Sequence, residues 1–174
     1  MGAPLTLGVA RVIAEMVKGK PELDAAAGNQ VAGAVAKHFK VSAEEVAILR
    51  LAPGGKMLEF IVPEKLGKVG SVPVSSTSSL AARTASSGKG EFINNFSAAK
   101  HATVFEGVKL TKEGSDPIQK ILSVPVLVSG KAHGVLQVSR KGKSAGAAGP
   151  DFSPKDVDEL GQIATAISPC FQSK

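Results

Sequence analysis

The chain contains a single cysteine, Cys170, so thiol chemistry has only one candidate residue. Thiol-based reduction needs a nucleophilic thiolate and normally a second, resolving thiol, which this sequence lacks. A small, buried apolar role is the simpler interpretation of a lone cysteine at the end of the last predicted helix. One cysteine also rules out an internal disulfide bond and fits a reducing compartment, so we expect a cytoplasmic location.

The three histidines do not have the spacing of a metal site such as His-x-x-x-His. His38 lies near the end of a predicted helix, where a positive charge is favourable, and His133 lies in a predicted turn. His101 lies in a long irregular stretch, where it is a candidate for ligand contact or for plain solvent exposure. We therefore predict no metal site.

Amide, basic and aromatic side chains are concentrated just after a short predicted strand. The amides of Asn94 and Asn95 have the chemistry to read a base edge, and Lys100 has the charge to meet a phosphate. Phe96 and Phe105 carry rings that can stack on a ligand. The alternative interpretation is that the two asparagines form a turn and both phenylalanines fill the core.

Two glycine-lysine sequences do not meet the requirements of a phosphate-binding loop. Gly54-Gly55-Lys56 lacks the preceding spaced glycine and lies in a hairpin, and Gly88-Lys89-Gly90 ends a predicted helix. No serine, histidine and aspartate are arranged around a nucleophile elbow. Because the sequence offers no catalytic residues, we expect that the protein is not an enzyme.

Length and composition indicate one domain with a sizeable core, since 43% of the 174 residues are hydrophobic. A net charge of +6 invites a nucleic-acid interpretation. The basic residues are mostly scattered lysines, and Trp and Tyr are absent, so the arginine clusters and stacking aromatics of base readout are missing. We expect no nucleic-acid partner, no export signal and no membrane span.

Apolar residues recur at helical spacing in three segments near the two ends of the chain. The first segment runs from Leu5 to Val17, and the second runs from about Leu23 to Lys40. The third begins at Ser153-Pro154-Lys155-Asp156, where serine caps the helix and aspartate meets its positive end. The apolar stripe of the first helix must be covered, either by its own domain or by a partner.

Short β-type runs occupy the middle of the chain. Strands are predicted over residues 46–51, 56–62, 91–93, 121–128 and 135–138. A helix is predicted over Leu80–Ser86, a long irregular stretch over Asn94–Asp116, and a mobile linker over Gly142–Gly149. Strands and helices do not alternate regularly, which predicts an α+β fold with an antiparallel sheet. One face should carry the terminal helices and the other the middle segments.

Three motifs in this order of segments resemble the GAF domain family. The first is the hairpin from Ile121 to Val138, with Val-Pro-Val before its turn and Gly-Val-Leu-Gln-Val after it. The second runs from Ser79-Leu80-Ala81 to Gly88-Lys89, and the third is the start of the closing helix, with Phe152 and Asp156. Each motif is weak alone, and their order along most of the chain carries the resemblance.

The resemblance implies a profilin-like fold with a central antiparallel sheet of about six strands. It places one domain over residues 1–174, with a core over 28–171 and an extra N-terminal helix over 1–22. Terminal helices should cover one face of the sheet, and loops and short helices the other. Pro125 cannot donate a hydrogen bond to a neighbouring strand, so on physical grounds it belongs at an edge or a bulge.

The resemblance also implies a sensory or regulatory module that holds a small molecule, a cyclic nucleotide or a metabolite, between the sheet and residues 94–116. We expect a bacterial, cytoplasmic signalling protein that is a homodimer through its terminal helices and acts on a signalling protein partner. The expected ligand-binding residues are Phe60, Asn94, Asn95, Phe96, Lys100, His101 and Phe105. The alternative is a ligand-free scaffold used for dimerisation or protein docking.

The identity of the ligand stays open, and no cofactor is assigned. Cyclic-nucleotide-binding members of the family carry an Asn-Lys…Phe…Asp-Glu signature, which Asn95, Lys100 and Phe105 match in order but not in spacing, with no Asp-Glu after Phe105. Members that reduce free methionine sulfoxide use several cysteines, and others attach a bilin to one, so we expect neither activity at Cys170. His101 is the candidate for the haem iron that some members bind.

Overall fold

A computed structural model describes residues 8–64, 71–76, 79–96, 104–105, 108–109 and 118–171. Its centre is a six-stranded antiparallel sheet with the strand order β3-β2-β1-β8-β7-β4. The strands of this sheet are β1 Val46–Leu51, β2 Met57–Val62, β3 Ser71–Pro73, β4 Glu91–Ile93, β7 Ile118–Val128 and β8 Lys131–Lys141. The predicted α+β fold with about six antiparallel strands is confirmed.

Five helices accompany the sheet in the described ranges. They are α1 Gly8–Met16, α2 Ala25–Phe39, α3 Leu80–Ser87, the single turn α4 Ala145–Ala148 and α5 Pro154–Ile167. Short 3-10 turns occupy Ala43–Glu45 and Ser168–Phe171. The predicted start of the last helix is confirmed, because Ser153 and Asp156 form a capping box and Pro154 stands in the first turn.

The sheet carries a separate hydrophobic cluster on each face. Successive side chains of a strand point to opposite faces, so neighbouring residues join different clusters. Ile48 and Leu136 pack with the terminal helices α1, α2 and α5, whereas Leu49 and Val135 pack with α3 and Phe96. The prediction that the terminal helices share one face is therefore confirmed.

The apolar stripe of α1 is covered by the chain itself. Ala10 and Ile13 have no exposed surface, and α1 packs against α2 and α5. Burying a side chain the size of Ile13 contributes about 1.5–3 kcal/mol, so α1 is an integral part of the domain. The sequence allowed the apolar stripe of α1 to be covered either by its own domain or by a partner. In the structure its own domain covers it. Val12, on the outer side of α1, remains 55% exposed.

The segment predicted as a mobile linker, 142–149, is instead held against the sheet. It contains the helical turn α4, and Gln119 Nε2 donates to the carbonyl oxygen of Gly142 at 2.8 Å. A Cβ atom at Gly142 would lie 2.8 Å from the backbone nitrogen of Ala148, so the two stretches of backbone touch. Glycine and alanine gave this segment its flexible composition, but the same small residues allow this close approach.

Two further differences concern turns and loops. The predicted six-residue link of the long hairpin shrinks to Ser129-Gly130, both with positive φ, and β8 starts at once. The irregular stretch after Ile93 contains a two-stranded ladder of β5, Val104–Phe105, and β6, Val108–Lys109. The other residues from Ser97 to Pro117 lie outside the described residues.

Pro125 lies at a local edge of the sheet, as its missing N–H group requires. On one side it pairs with Val135 of β8. On the other side β4 pairs only with Ile121, Leu122 and Ser123, and its ladder stops short of Pro125.

Candidate functional site

The candidate site is the face of the sheet opposite the terminal helices. Two of the predicted ligand-binding residues, Phe60 of β2 and Phe96 after β4, lie in the same hydrophobic cluster on this face. Phe60 is 6% exposed and Phe96 has no exposed surface. The structure therefore brings two aromatic side chains together on the predicted face, and both currently contribute to its core.

A buried row of polar side chains lies under α3 on the same face. Thr84 Oγ1 donates to the carbonyl oxygen of Leu80 at 2.9 Å and lies 2.7 Å from Ser123 Oγ. Since the Thr84 proton is committed, Ser123 donates to Thr84, and Gln137 Nε2 donates to Ser123 Oγ at 3.1 Å. In the sequence, the signal for this row is a polar residue within each apolar strand run, Ser123 in β7 and Gln137 in β8.

The predicted site residue Asn94 binds the backbone of a residue far along the chain. Its Nδ2 donates to the carbonyl oxygen of Phe152 at 3.0 Å, and its Oδ1 accepts from the Phe152 N–H group at 2.8 Å. Asn95, the next residue, is exposed. Ligand contact by Asn94 stays a prediction, and it would compete with this pair of hydrogen bonds.

The remaining predicted site residues are described incompletely or not at all. Phe105 belongs to β5, and its backbone pairs with Val108, but its side chain lies outside the description. Lys100 and His101 lie outside the described residues. Their predicted roles as ligand contacts, and that of His101 as a candidate haem ligand, stay predictions.

A second polar cluster, which sequence reasoning missed, lies where the β8–α5 connection, residues 142–153, runs past the end of the hairpin. Lys120, 4% exposed, donates through Nζ to the carbonyl oxygen of Gly149 and pairs with Asp151 at 2.8 Å. The guanidinium carbon of Arg140 lies 4.8 Å from the centre of the Phe152 ring, within cation–π range.

The guanidinium group of Arg140 is largely buried and lies near two carboxylates. Burial lowers the pKa of Arg140, and the carboxylates of Asp156 and Glu45 act in the opposite direction. Glu45 is itself fixed, because its two carboxylate oxygens accept from the backbone N–H groups of Ser42 and Lys141. Charged and polar groups thus add to the apolar packing of Phe152 in attaching the connection to the sheet.

Cys170 is not part of the candidate site. Its side chain lies in the cluster on the helix face, 2% exposed, and its thiol is directed at the carbonyl oxygens of Val17 and Lys20. Burial raises the pKa of the Cys170 thiol, partly offset by the charge of Lys20. The effect of burial is the larger of the two, so the raised pKa disfavours a reactive thiolate at Cys170.

Within the part of the chain that the structure describes, neither a metal-binding cluster nor a bilayer-spanning helix is present. There, histidine, cysteine, aspartate and glutamate side chains form no group of three that could hold a metal ion. Over the same residues, the helices include none with the length and apolar character that a bilayer crossing requires.

Comparison with known proteins identifies the fold. A family profile described as "GAF domain" matches residues 26–172. No curated protein matches the chain. The GAF domain of an Acinetobacter phosphoenolpyruvate-protein phosphotransferase superposes with a TM-score of 0.70 and 20% identity over 98% of this chain and 94% of that one.

Two other similar structures come from proteins of different activity. A fragment of a methyl-accepting chemotaxis protein has a TM-score of 0.66 and 15% identity, over 91% of this chain and 93% of that one. Free methionine-R-sulfoxide reductase from Neisseria meningitidis, in complex with its substrate, has a TM-score of 0.64 and 15% identity over 94% and 86%. At such identities the likeness concerns the fold alone.

These structures correct one prediction made from the sequence. The expectation that the protein is not an enzyme is overturned, because the fold it shares is also that of the Neisseria reductase and of its Staphylococcus aureus counterpart. The absence of familiar catalytic motifs had carried that expectation. The buried position of Cys170 argues only against chemistry at that thiol.

Proposed function

The chain belongs to the GAF domain family, and from this we propose that it is a regulatory module that binds a small molecule on the sheet face opposite its terminal helices. GAF domains are commonly sensory or regulatory parts of signalling proteins. The observation that carries the proposal is the placement of Phe60 and Phe96 together on that face, in a cluster separate from the helix-face core. Two aromatic rings suit a planar ligand.

The polar contacts of such a ligand would come from residues after β4. Asn95 is exposed next to the buried Phe96, which fits a donor at the rim of an apolar site. Lys100, His101 and Phe105 complete the proposed set with a cation, an imidazole and a third ring. A ring system with a phosphate or carboxylate, such as a cyclic nucleotide or a related metabolite, matches these groups.

Output through other proteins is part of the proposal. The helix face consists of α1, α2 and α5, and the exposed Val12 lies there as a point for contact with a second copy or a signalling partner. A ligand changes such contacts only if it binds one arrangement of the domain more tightly than another. We place this module in the cytoplasm, in keeping with its single, reduced cysteine.

Thermal unfolding in the presence of cyclic AMP, cyclic GMP and a panel of metabolites tests the proposal. A ligand at one hundred times its Kd stabilises the folded state by about 2.7 kcal/mol, which raises the Tm by about 5–10 °C. Phe60→Leu should abolish the shift. Phe39→Leu is the matched control, because Phe39 is equally buried on the opposite face and should leave the shift intact.

A second candidate function is a ligand-free scaffold for dimerisation or protein docking. The close docking of α3 favours it, because Leu80, Ala81, Ala82 and Thr84 are buried directly against the sheet and occupy part of the face. If no compound shifts the Tm and Phe60→Leu lowers only the stability of the fold, the scaffold is the better description.

A further inference from the structure

Helix α1 lies outside the two helices that cover the sheet. α2 packs on β1 and β2, and α5 packs on β7, β4 and β8, whereas α1 packs mainly against α2 and α5 themselves. Ala10 and Ile13 of α1, and Val17 directly after it, belong to the same hydrophobic cluster as the buried residues of α2 and α5. α1 is therefore a third layer, which covers the boundary between the two other helices.

α1 is held by fewer buried side chains than its neighbours. α2 buries seven of its residues and α5 buries five, but within α1 only Ala10 and Ile13 are buried. A helix of nine residues is not stable by itself in water, so α1 is helical because it is docked. Undocking α1 should therefore cost less free energy than unfolding the whole domain.

An exposed turn connects α1 to α2. Residues 18–21 are all exposed, and the buried residues Val17 and Leu23 lie on either side of them. Gly19 has a φ of +78° with open space around it, and Lys20 donates its N–H group to the carbonyl oxygen of Val17 at 3.0 Å. Glycine allows a wide range of backbone conformations at such a position. We call residues 18–21 the hinge, since the chain is buried again at Leu23, just before α2.

The thiol of Cys170 lies directly beneath the end of α1 and the hinge. Its Sγ atom is 3.9 Å from the carbonyl oxygen of Val17 and 3.5 Å from that of Lys20, and the residue is 2% exposed. Cys170 itself belongs to the 3-10 turn that follows α5 and packs on β7. The end of α1 and the hinge therefore separate this thiol from water.

We propose that α1 and the hinge form a cover that opens as one unit while the sheet, α2 and α5 stay folded. Opening uncovers Cys170 and the apolar surface of α2 and α5 beneath α1. The inference goes beyond ligand binding, because it concerns the helix face and needs no ligand. It gives this face a second arrangement, in which a different surface is offered to a partner.

The rate at which Cys170 reacts with the aromatic disulfide dithiobis-nitrobenzoate tests the proposal. Cys170 is the only cysteine of the chain, so the released thionitrobenzoate reports a single site. A buried thiol reacts only when it is uncovered, so the rate measures the population of the open form. Because opening of α1 exposes little surface, we expect the urea dependence of the rate to correspond to less than about half of the m-value of global unfolding.

The same substitution at two positions separates local from global opening. Ile13→Val weakens the docking of α1 and should accelerate the reaction without urea about two- to tenfold, the factor for the loss of one buried carbon. Ile48→Val is the matched control, because Ile48 has no exposed surface and lies in β1 within the same hydrophobic cluster. It should lower the global stability similarly but change the rate by less than about twofold.

A third variant tests whether the 3-10 turn that carries Cys170 opens instead. Phe171→Leu loosens this turn, because the Phe171 ring packs closely against Gly134 of β8. Acceleration by Phe171→Leu and not by Ile13→Val would overturn the proposal. So would a urea dependence equal to that of global unfolding, or equal effects of Ile13→Val and Ile48→Val. Since no ligand is used, a failure here leaves ligand binding untouched, and a failed ligand screen leaves this result standing.

Discussion

Lys120 and Arg140 are cross-strand partners in the β7–β8 hairpin, and both are buried, at 4% and 8% exposure. Like charges directly opposite each other destabilise a sheet. Here each cation has its own compensation: Asp151 and a carbonyl oxygen for Lys120, and the Phe152 ring with the nearby Asp156 and Glu45 for Arg140. Except for Glu45, these compensating groups belong to the β8–α5 connection or to the first turn of α5. The repulsion between Lys120 and Arg140 is therefore offset by groups that the position of this connection brings close to them.

Replacing Arg140 by methionine tests how this compensation works. The substitution removes the repulsion of Lys120 and a desolvated charge, while the long side chain keeps its packing on Phe152. We expect the free energy of unfolding, measured with urea, to stay within about 1 kcal/mol of wild type. A loss above about 3 kcal/mol would show instead that the guanidinium is a principal support of the connection.

Asn94→Ala should destabilise the protein by about 2–4 kcal/mol, since it leaves a buried N–H and a buried carbonyl group of Phe152 without partners. The midpoint of urea unfolding at an unchanged m-value measures this loss. Asn95→Ala is the matched control, because Asn95 is exposed and should change stability by less than about 0.5 kcal/mol. Equal effects of the two substitutions would contradict the assigned role of Asn94.

Cys170 should make the fold less stable at alkaline pH. Its pKa is raised in the folded state, so the unfolded chain releases the thiol proton first as the pH rises. Its contribution to stability is therefore complete below the ordinary thiol pKa and is lost as the pH rises through the raised value. Unfolding free energies measured at about pH 7 and about pH 10 should differ more in wild type than in Cys170→Ala. An equal difference in both proteins would disprove the linkage.

Gly134→Ala should be strongly destabilising, although alanine is usually the better residue. A Cβ atom at Gly134 would lie 2.5 Å from Cε2 of Phe171 and 2.6 Å from the carbonyl oxygen of Leu49. We expect a loss of about 2–3 kcal/mol in thermal or urea unfolding. Gly33→Ala is the control: this glycine lies in α2 with nothing near its Cβ position, and the substitution should add about 0.5–1 kcal/mol. Similar outcomes at the two glycines would count against the close packing of Phe171.

Local chemistry made much of the fold predictable. The serine, proline and aspartate at the start of α5 predicted the helix start that the structure has, and the glycines after β7 predicted a hairpin, whose turn has positive φ at Ser129 and Gly130. Each of these signals depends only on a few neighbouring residues, so it can be recognised from the sequence without knowledge of the fold.

The contacts that define the polar clusters were not predictable in the same way. Asn94 and Phe152 are 58 residues apart, and Lys120 and Gly149 are 29 apart, so each partner is determined by the fold and not by the local sequence. Asn94 was selected for its amide as a ligand contact, and nothing nearby in the sequence indicated a backbone partner. Phe60 and Phe96 lie in one hydrophobic cluster, and their contact with a ligand stays a prediction.

The central pairing of the sheet also sets how fast the protein can fold. β1 joins β2 through a short turn and β7 joins β8 through two residues, but β1 pairs with β8 across about half of the chain, with Val46 opposite Val138. Closing so long a loop lowers the entropy of the chain before the β1–β8 contacts can stabilise it. Proteins dominated by such distant pairings fold slowly. The seam between Val46–Arg50 and Gly134–Val138 is therefore where substitutions should most affect the refolding rate.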